Sequence, residues 1–491
     1  MHRTALAAAA AVTAALTAAA ATTTATAAPV DMGPSTSTHP YILSANSRVA
    51  TTSILTVGDT ADNGYLMAGI PDGLGAFDNK DGSFTLLANH EISATLGSVR
   101  RHGGMGAFIS RWTIDSASLK VRSGEDLIAR LYSATPTGWT PAIGAALNLN
   151  RLCSADLADQ AAFWRSYNRF GTQNRLFLDG EEGGTEGRAF AHVVTGPDAG
   201  SSYELSWLGK AAWENVVASP ASKNKTVVVG LDDGQGGQVY VYVGKKSRVG
   251  NDVQRAGLVG GTLYGVKVDG VTTEVDATTL PPGTRFSLVP IPGAAAMTGA
   301  QLDAASVALG VTSFARPEDG SWSRAEKEDF FFNTTASITG VSRNWHLTFD
   351  DAVDVESGGE VRIAVAGPPS PAGGVLDAPG PRMMDNLTTT KDGRLLLQED
   401  PGNQPYVAGI YEATPSDDHP VDPMRIMTFD PALFTPGLPG FITQDEESSG
   451  IIPAPFLGRD AYLLTAQVHK ATDNPLTVEM GQLLLARIAK P

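Results

Sequence analysis

The sequence predicts an all-β fold of the β-propeller class, and three observations carry that prediction. Its 491 residues include 53 Gly and 30 Pro, which punctuate short runs rich in Val, Leu, Ile and Thr with Asp-Gly and Pro-Gly turns. A chain of this length would ordinarily divide into two or three domains, yet no long charged or Ser/Gly-rich linker interrupts it. A propeller accommodates such a length, because blades added around an axis do not enlarge any single core. The third observation is that apolar runs ending in carboxylates recur between residues 85 and 400.

At the N-terminus, Arg3 precedes an Ala/Leu/Val/Thr run that ends in Thr24-Ala25-Thr26-Ala27-Ala28-Pro29. A short positive start, an apolar middle and a small-residue exit predict a signal peptide over residues 1–28. The run is poor in Leu, Ile and Phe and no second long apolar span follows, which argues against stable membrane insertion. One Arg rather than a pair points to Sec-type export of an unfolded chain and a secreted, extracellular protein. Residues 29–45 are expected to be a flexible N-terminal segment and residues 46–491 a single propeller domain. Within it, Ser154 to Phe163 is expected to be helical with Ser154 as N-cap. Thr298 to Leu309 reads as a peripheral helix opened by a Thr298/Gln301 capping box.

The 52 acids outnumber the 36 Lys and Arg, for a formal charge of −16; loss of residues 1–28 would remove Arg3 and no acid. Such a surface disfavours nucleic acid and anionic membranes. An acidic excess serves solubility in most proteins, but clustered carboxylates also hold divalent cations, so placement decides. The lone cysteine, Cys153, leaves an exported chain no internal disulfide; a buried thiol, an intermolecular bridge and a metal-bound thiolate are the open alternatives.

Four strand candidates end in acids: Thr85 to Glu91, Leu176 to Glu182, Thr226 to Asp233 and Leu395 to Asp400. Any one of these ends could be an ordinary turn. If they are inner strands of a propeller, their ends meet near the axis, where carboxylates repel unless a cation sits among them or their pKa values rise. Several hydrolytic motifs are missing. There is no Gly-x-Ser-x-Gly elbow and no His-Glu-x-x-His, and Gly244-Lys245-Lys246-Ser247 lacks the spaced glycine of a phosphate loop. His90 and His192 follow strand-like runs, and His90 reads either as a core histidine or as a partner of Glu91.

Read in order, Pro71-Asp72-Gly73-Leu74-Gly75, Asn89-His90-Glu91, Cys153, Gly180-Glu181-Glu182, Trp213-Glu214-Asn215, Leu231-Asp232-Asp233, Arg316-Pro317-Glu318-Asp319, Met384-Asp385-Asn386 and Glu446-Glu447-Ser448-Ser449-Gly450 resemble the PhoX-type alkaline phosphatases. The resemblance implies a six-bladed propeller whose axial cavity holds Fe3+ and Ca2+. It implies Cys153 as a thiolate ligand and Glu182 and Glu214 as iron-binding carboxylates. Asp233 and Glu318 would be shared between metals, and Asp385 and Glu447 would support calcium or the cluster. Arg316 would face the phosphate of a small-molecule phosphoester. The chemistry is self-consistent: thiolate suits a transition metal, calcium takes oxygen alone, and the guanidinium fork matches phosphate oxygens. The expected protein is a monomer. A calcium-only propeller of phytase or lactonase type and a non-catalytic, calcium-stabilised binding propeller remain as alternatives.

Overall fold

The computed structural model describes residues 31–274, 280–368 and 380–491; the expected signal peptide, residues 1–28, lies outside them. The fold is an all-β propeller. Its repeating unit is a four-stranded antiparallel meander whose first strand is innermost. The inner strands are Pro71–Asp78, Leu152–Leu157, Trp213–Ala218, Pro317–Trp322, Met384–Thr389 and Glu446–Pro453. Each contacts the next in that order, and the last contacts the first, so they line a closed axis.

The hydrophobic cores follow the meanders, with a small seventh cluster of Ala68, Ile70, Ile92 and Phe108 beside the six that lie between them. Among the described residues, six apolar clusters each fill the space between two consecutive meanders, for example Val227, Val229 and Val241 against Phe330, Phe332 and Trp345. This arrangement explains the continuous apolar runs of the middle strands. Lys225–Asp232 and Val239–Lys245 are buried along nearly their whole length, because both faces of a blade pack on neighbours. Two meanders are joined edge to edge where Arg285–Pro290 pairs with Gly359–Ala366, which makes one nine-stranded sheet. The last meander has three strands of its own, Glu446–Pro453, Ala461–Ala471 and Glu479–Ile488. Its fourth is the early strand Val49–Thr56, antiparallel to Glu479–Ile488. Inside the segment expected to be a flexible lead-in, Ile42–Ser44 pairs with Met424–Phe429.

Close approach at the axis dictates one glycine in particular. A Cβ on Gly73 would lie 2.4 Å from the Ala155 nitrogen and 2.6 Å from the Cys153 carbonyl oxygen, so only glycine lets these two inner strands touch.

The peripheral helix forms as expected, Gly299–Leu309, with the Thr298/Gln301 capping box in place and Gly310 closing it in the left-handed conformation. The other expected helix does not. Leu152–Leu157 is an inner strand, and only Gln160–Phe163 is helical, capped by Asp159 rather than Ser154. The pull of two neighbouring inner strands overrides a weak local helix preference. Cys153 therefore stands in a strand and gains nothing from a helix terminus.

Candidate metal centre

The site follows from register. The second residue of each inner strand is, in order, Asp72, Cys153, Glu214, Glu318, Asp385 and Glu447, and together they form a ring of five carboxylates and one thiol. The neighbouring strand of each meander runs antiparallel, and His90, Glu181, Asp232, Thr334, Glu399 and Val468 in turn pair with the inner strand's first residue. One step beyond those residues stand Glu91, Glu182, Asp233, Thr335, Asp400 and His469, the last still inside Ala461–Ala471. Each donates its backbone N–H to the carbonyl of the residue just before the inner strand or its equivalent, Ile70, Arg151, Ala212, Arg316, Met383 and Asp445, at 2.8 to 3.1 Å. The same bond repeated around the axis sets a second ring of six beside the first.

The acid-tipped strands read from the sequence are thus the second strands of their meanders, not the innermost. Their acids reach the axis because the chain turns inward one residue past the ladder. All the residues expected at the site arrive there: Cys153, Glu182, Glu214, Asp233, Glu318, Asp385, Glu447 and Arg316. The sequence reading left unassigned Asp72, Glu91, Asp400, His469 and Arg151. The equivalence of strand positions is the signal that finds them, and it exists only once pairing is known.

Ligand atoms fall into three sets, each mutually within 4.8 Å: Asp72 with Glu91 and Cys153; Cys153 with Glu182 and Glu214; Glu214 with Glu318 and Asp385. The sets share Cys153 and Glu214, so three ion-sized positions run side by side. The Cys153 thiol donates to Glu182 Oε2 at 3.2 Å. Ser154 Oγ donates to Glu214 Oε1 at 2.6 Å and accepts from Asn386 Nδ2, which fixes Glu214 across the axis. Gln467 Nε2 bridges Glu91 Oε2 at 3.0 Å and Glu447 Oε1 at 3.3 Å. His469 pairs with Glu479 at 2.8 Å and faces Glu447 at 3.7 Å.

The electrostatics are those of a cage built for cations. Burial first, and then the neighbouring carboxylates, push the carboxyls of Asp72, Glu214, Glu318 and Asp385 well above the ordinary range. The same causes raise Glu182 to about 8 and Asp400 to about 7. Burial and four nearby acids likewise raise the Cys153 thiol. Asp72 Oδ1 is buried with no hydrogen-bond partner, a costly state for an oxygen. Two arginines offset part of the charge. Arg316 grips Asp233 through Nε at 2.8 Å and Nη2 at 2.9 Å and reaches Glu318 at 3.0 Å. Arg151 spans Glu91, at 2.5 Å, and Glu182.

The backbone is strained at the entrance to four of the inner strands. Ile70, Arg151, Arg316 and Met383 hold φ between 48° and 64°, each directly before an inner strand, at a cost of roughly 1–2 kcal/mol apiece. His90 belongs to the core. It is fully buried, bonded to the Gly69 carbonyl and Ser110, and stacked 4.1 Å from Phe108.

Comparison with known proteins meets this geometry. The family model for alkaline phosphatase PhoX matches residues 166–417, a little more than half the chain. The chain belongs to the PhoX alkaline phosphatase family. The matched span contains Glu182, Glu214, Asp233, Arg316, Glu318, Asp385 and Asp400, whereas Asp72, Glu91, Cys153 and Glu447 lie outside it. Among solved structures, Pseudomonas fluorescens PhoX in complex with vanadate, a transition state analogue, superposes with a TM-score of 0.59 at 14% identity, over 91% of this chain and 96% of that one. That likeness shows the fold. A 6-phosphogluconolactonase-like protein of Bacteroides uniformis also matches, at a TM-score of 0.33 and 9% identity over 82% of this chain and 95% of its own, too distant to carry an argument. No curated protein matches the sequence.

Proposed function

We propose that this phosphatase-family chain is a secreted, metal-dependent hydrolase of phosphate monoesters, working at the two axial rings with iron and calcium. The observation that carries the reading is the ring of buried carboxylates around a single thiol beside an arginine. So many acids are not stable as anions in a buried cage without cations. The donor set fits a mixed centre. Cys153 offers the one soft ligand, suited to iron, next to Glu182 and Glu214, while the all-oxygen set of Glu214, Glu318 and Asp385 suits calcium. Asp233, Asp400 and Glu447 extend that oxygen set.

Cations so held supply Lewis acidity toward a phosphoryl oxygen and lower the pKa of water. The chain's own residues do the rest. Arg316 stands at the mouth with a quarter of its side chain exposed and presents a planar fork to the phosphate's equatorial oxygens, where charge develops. Ser154 and Asn386 hold Glu214 in one orientation, and Gln467 does the same for Glu91 and Glu447. No serine or threonine nucleophile is required, and Ser154 is committed to Glu214. Residues 1–28 would direct export, so the centre would be filled outside the cytoplasm. Among the described residues no helix is long and apolar enough to cross a membrane.

The test is elemental analysis of protein prepared through its native export route, alongside hydrolysis of an aryl phosphate with and without calcium. Iron and calcium together with phosphate release support the reading. Calcium alone with no phosphate release refutes it.

A further inference from the structure

We infer that Arg151 is a second substrate-binding arginine, which grips the anionic phosphate from two blades away from Arg316, on the far side of the intervening Glu214 strand. This rests on the phosphomonoester reading above. Two residues before each inner-ring residue stand Ile70, Arg151, Ala212, Arg316, Met383 and Asp445, and only two of the six are cations. They occupy equivalent positions two blades apart, with the Glu214 strand between them. Both have the same left-handed backbone, φ 52° for Arg151 and 64° for Arg316. Both are partly open to solvent, 44% for Arg151 and 25% for Arg316. Each holds an outer-ring acid through its Nε: Arg151 donates to Glu182 of its own blade at 2.7 Å, and Arg316 to Asp233 of the preceding blade at 2.8 Å.

Those acids sit on consecutive blades, so the two guanidiniums converge on one side of the axis. Cations that take over Glu91, Glu182, Asp233 and Glu318 would remove the arginines' present partners and leave two adjacent forks facing the mouth. A phosphate monoester, with three peripheral oxygens, satisfies two forks better than one.

The test uses metal-replete wild type, Arg151→Ala, Arg151→Gln and Arg316→Ala. Three quantities are measured: metal content, the affinity for inorganic phosphate by titration calorimetry and product inhibition, and KM against kcat on an aryl phosphate. The assignment expects Arg151→Gln to keep wild-type metal content while binding phosphate about tenfold to a hundredfold more weakly, with KM rising alongside. Arg151→Ala should do the same where it folds. Unchanged phosphate affinity and KM in a metal-replete Arg151→Gln protein overturn it. So does loss of metal in that variant, which would make Arg151 a scaffold for Glu91 and Glu182. Should wild type carry its metals yet neither bind nor release phosphate, the phosphoester reading itself fails and the assignment falls with it.

Discussion

Stripping the metals should turn the stability of this protein into a falling function of pH. The carboxyl of Glu182 is pushed from an ordinary 4.5 up to about 8, by burial and then by Glu91. That of Asp400 is pushed from 3.8 up to about 7, by burial and then by Glu447. A group whose pKa is raised in the folded state binds its proton more tightly there than in the unfolded chain. Its full contribution is therefore present below about pH 4 and is lost as pH rises through 7 to 8. Each raised group contributes a slope of about 1.4 kcal/mol per pH unit across that window. Two groups over roughly three units amount to several kcal/mol, a large part of the ~5–15 kcal/mol that holds a typical domain together. Calorimetric melting of chelator-treated protein between pH 5 and 8.5 should show Tm falling steadily, and added calcium should flatten the profile by binding the ionised carboxylates. A metal-free protein whose Tm is level or rises across that interval would refute the claim that buried, mutually repelling acids define the axis.

Other perturbations separate the parts of the centre. Cys153→Ser replaces the one soft donor, and elemental analysis should find iron lost while calcium is largely retained. Arg316→Ala should keep most of the metal and lose about 10²-fold or more in kcat/KM on an aryl phosphate. Gly73→Ala drives a methyl group into the Cys153–Ala155 backbone, 2.4 Å from its nearest atom. It should lower stability by about 1–3 kcal/mol in a denaturant titration and weaken metal binding with it.

Much of the centre was legible in the sequence because a propeller writes its axis as a periodic motif: an apolar run, an acid, a turn. Glu182 and Asp233 stood out as tips of such runs, and Glu214, Glu318, Asp385 and Glu447 through the ordered resemblance. Asp72 and Arg151 were harder to see. Nothing local distinguishes Pro71-Asp72-Gly73 from a turn or Arg151-Leu152-Cys153 from a surface loop, because their meaning lies in the strand that pairs beside them. His469 was invisible for the same reason, lying inside a long apolar strand where neutral burial is the default for histidine. The helix expected from Ser154 failed on a related point: Ser154-Ala155-Asp156-Leu157 carries a fair helix start, and only packing between the Asp72 and Glu214 strands draws it straight.

The strand Val49–Thr56 completes the same sheet as Glu479–Ile488, and that has a temporal consequence. The full set of ligands, spread from Asp72 to Glu447, is complete only when the circle shuts. The circle shuts by joining Val49–Thr56 to Glu479–Ile488, segments far apart in sequence whose contact is therefore slow to form. The complete pair of rings is not available to cations before that contact forms. The ion supply present when the circle shuts therefore bears on which ions the complete rings retain.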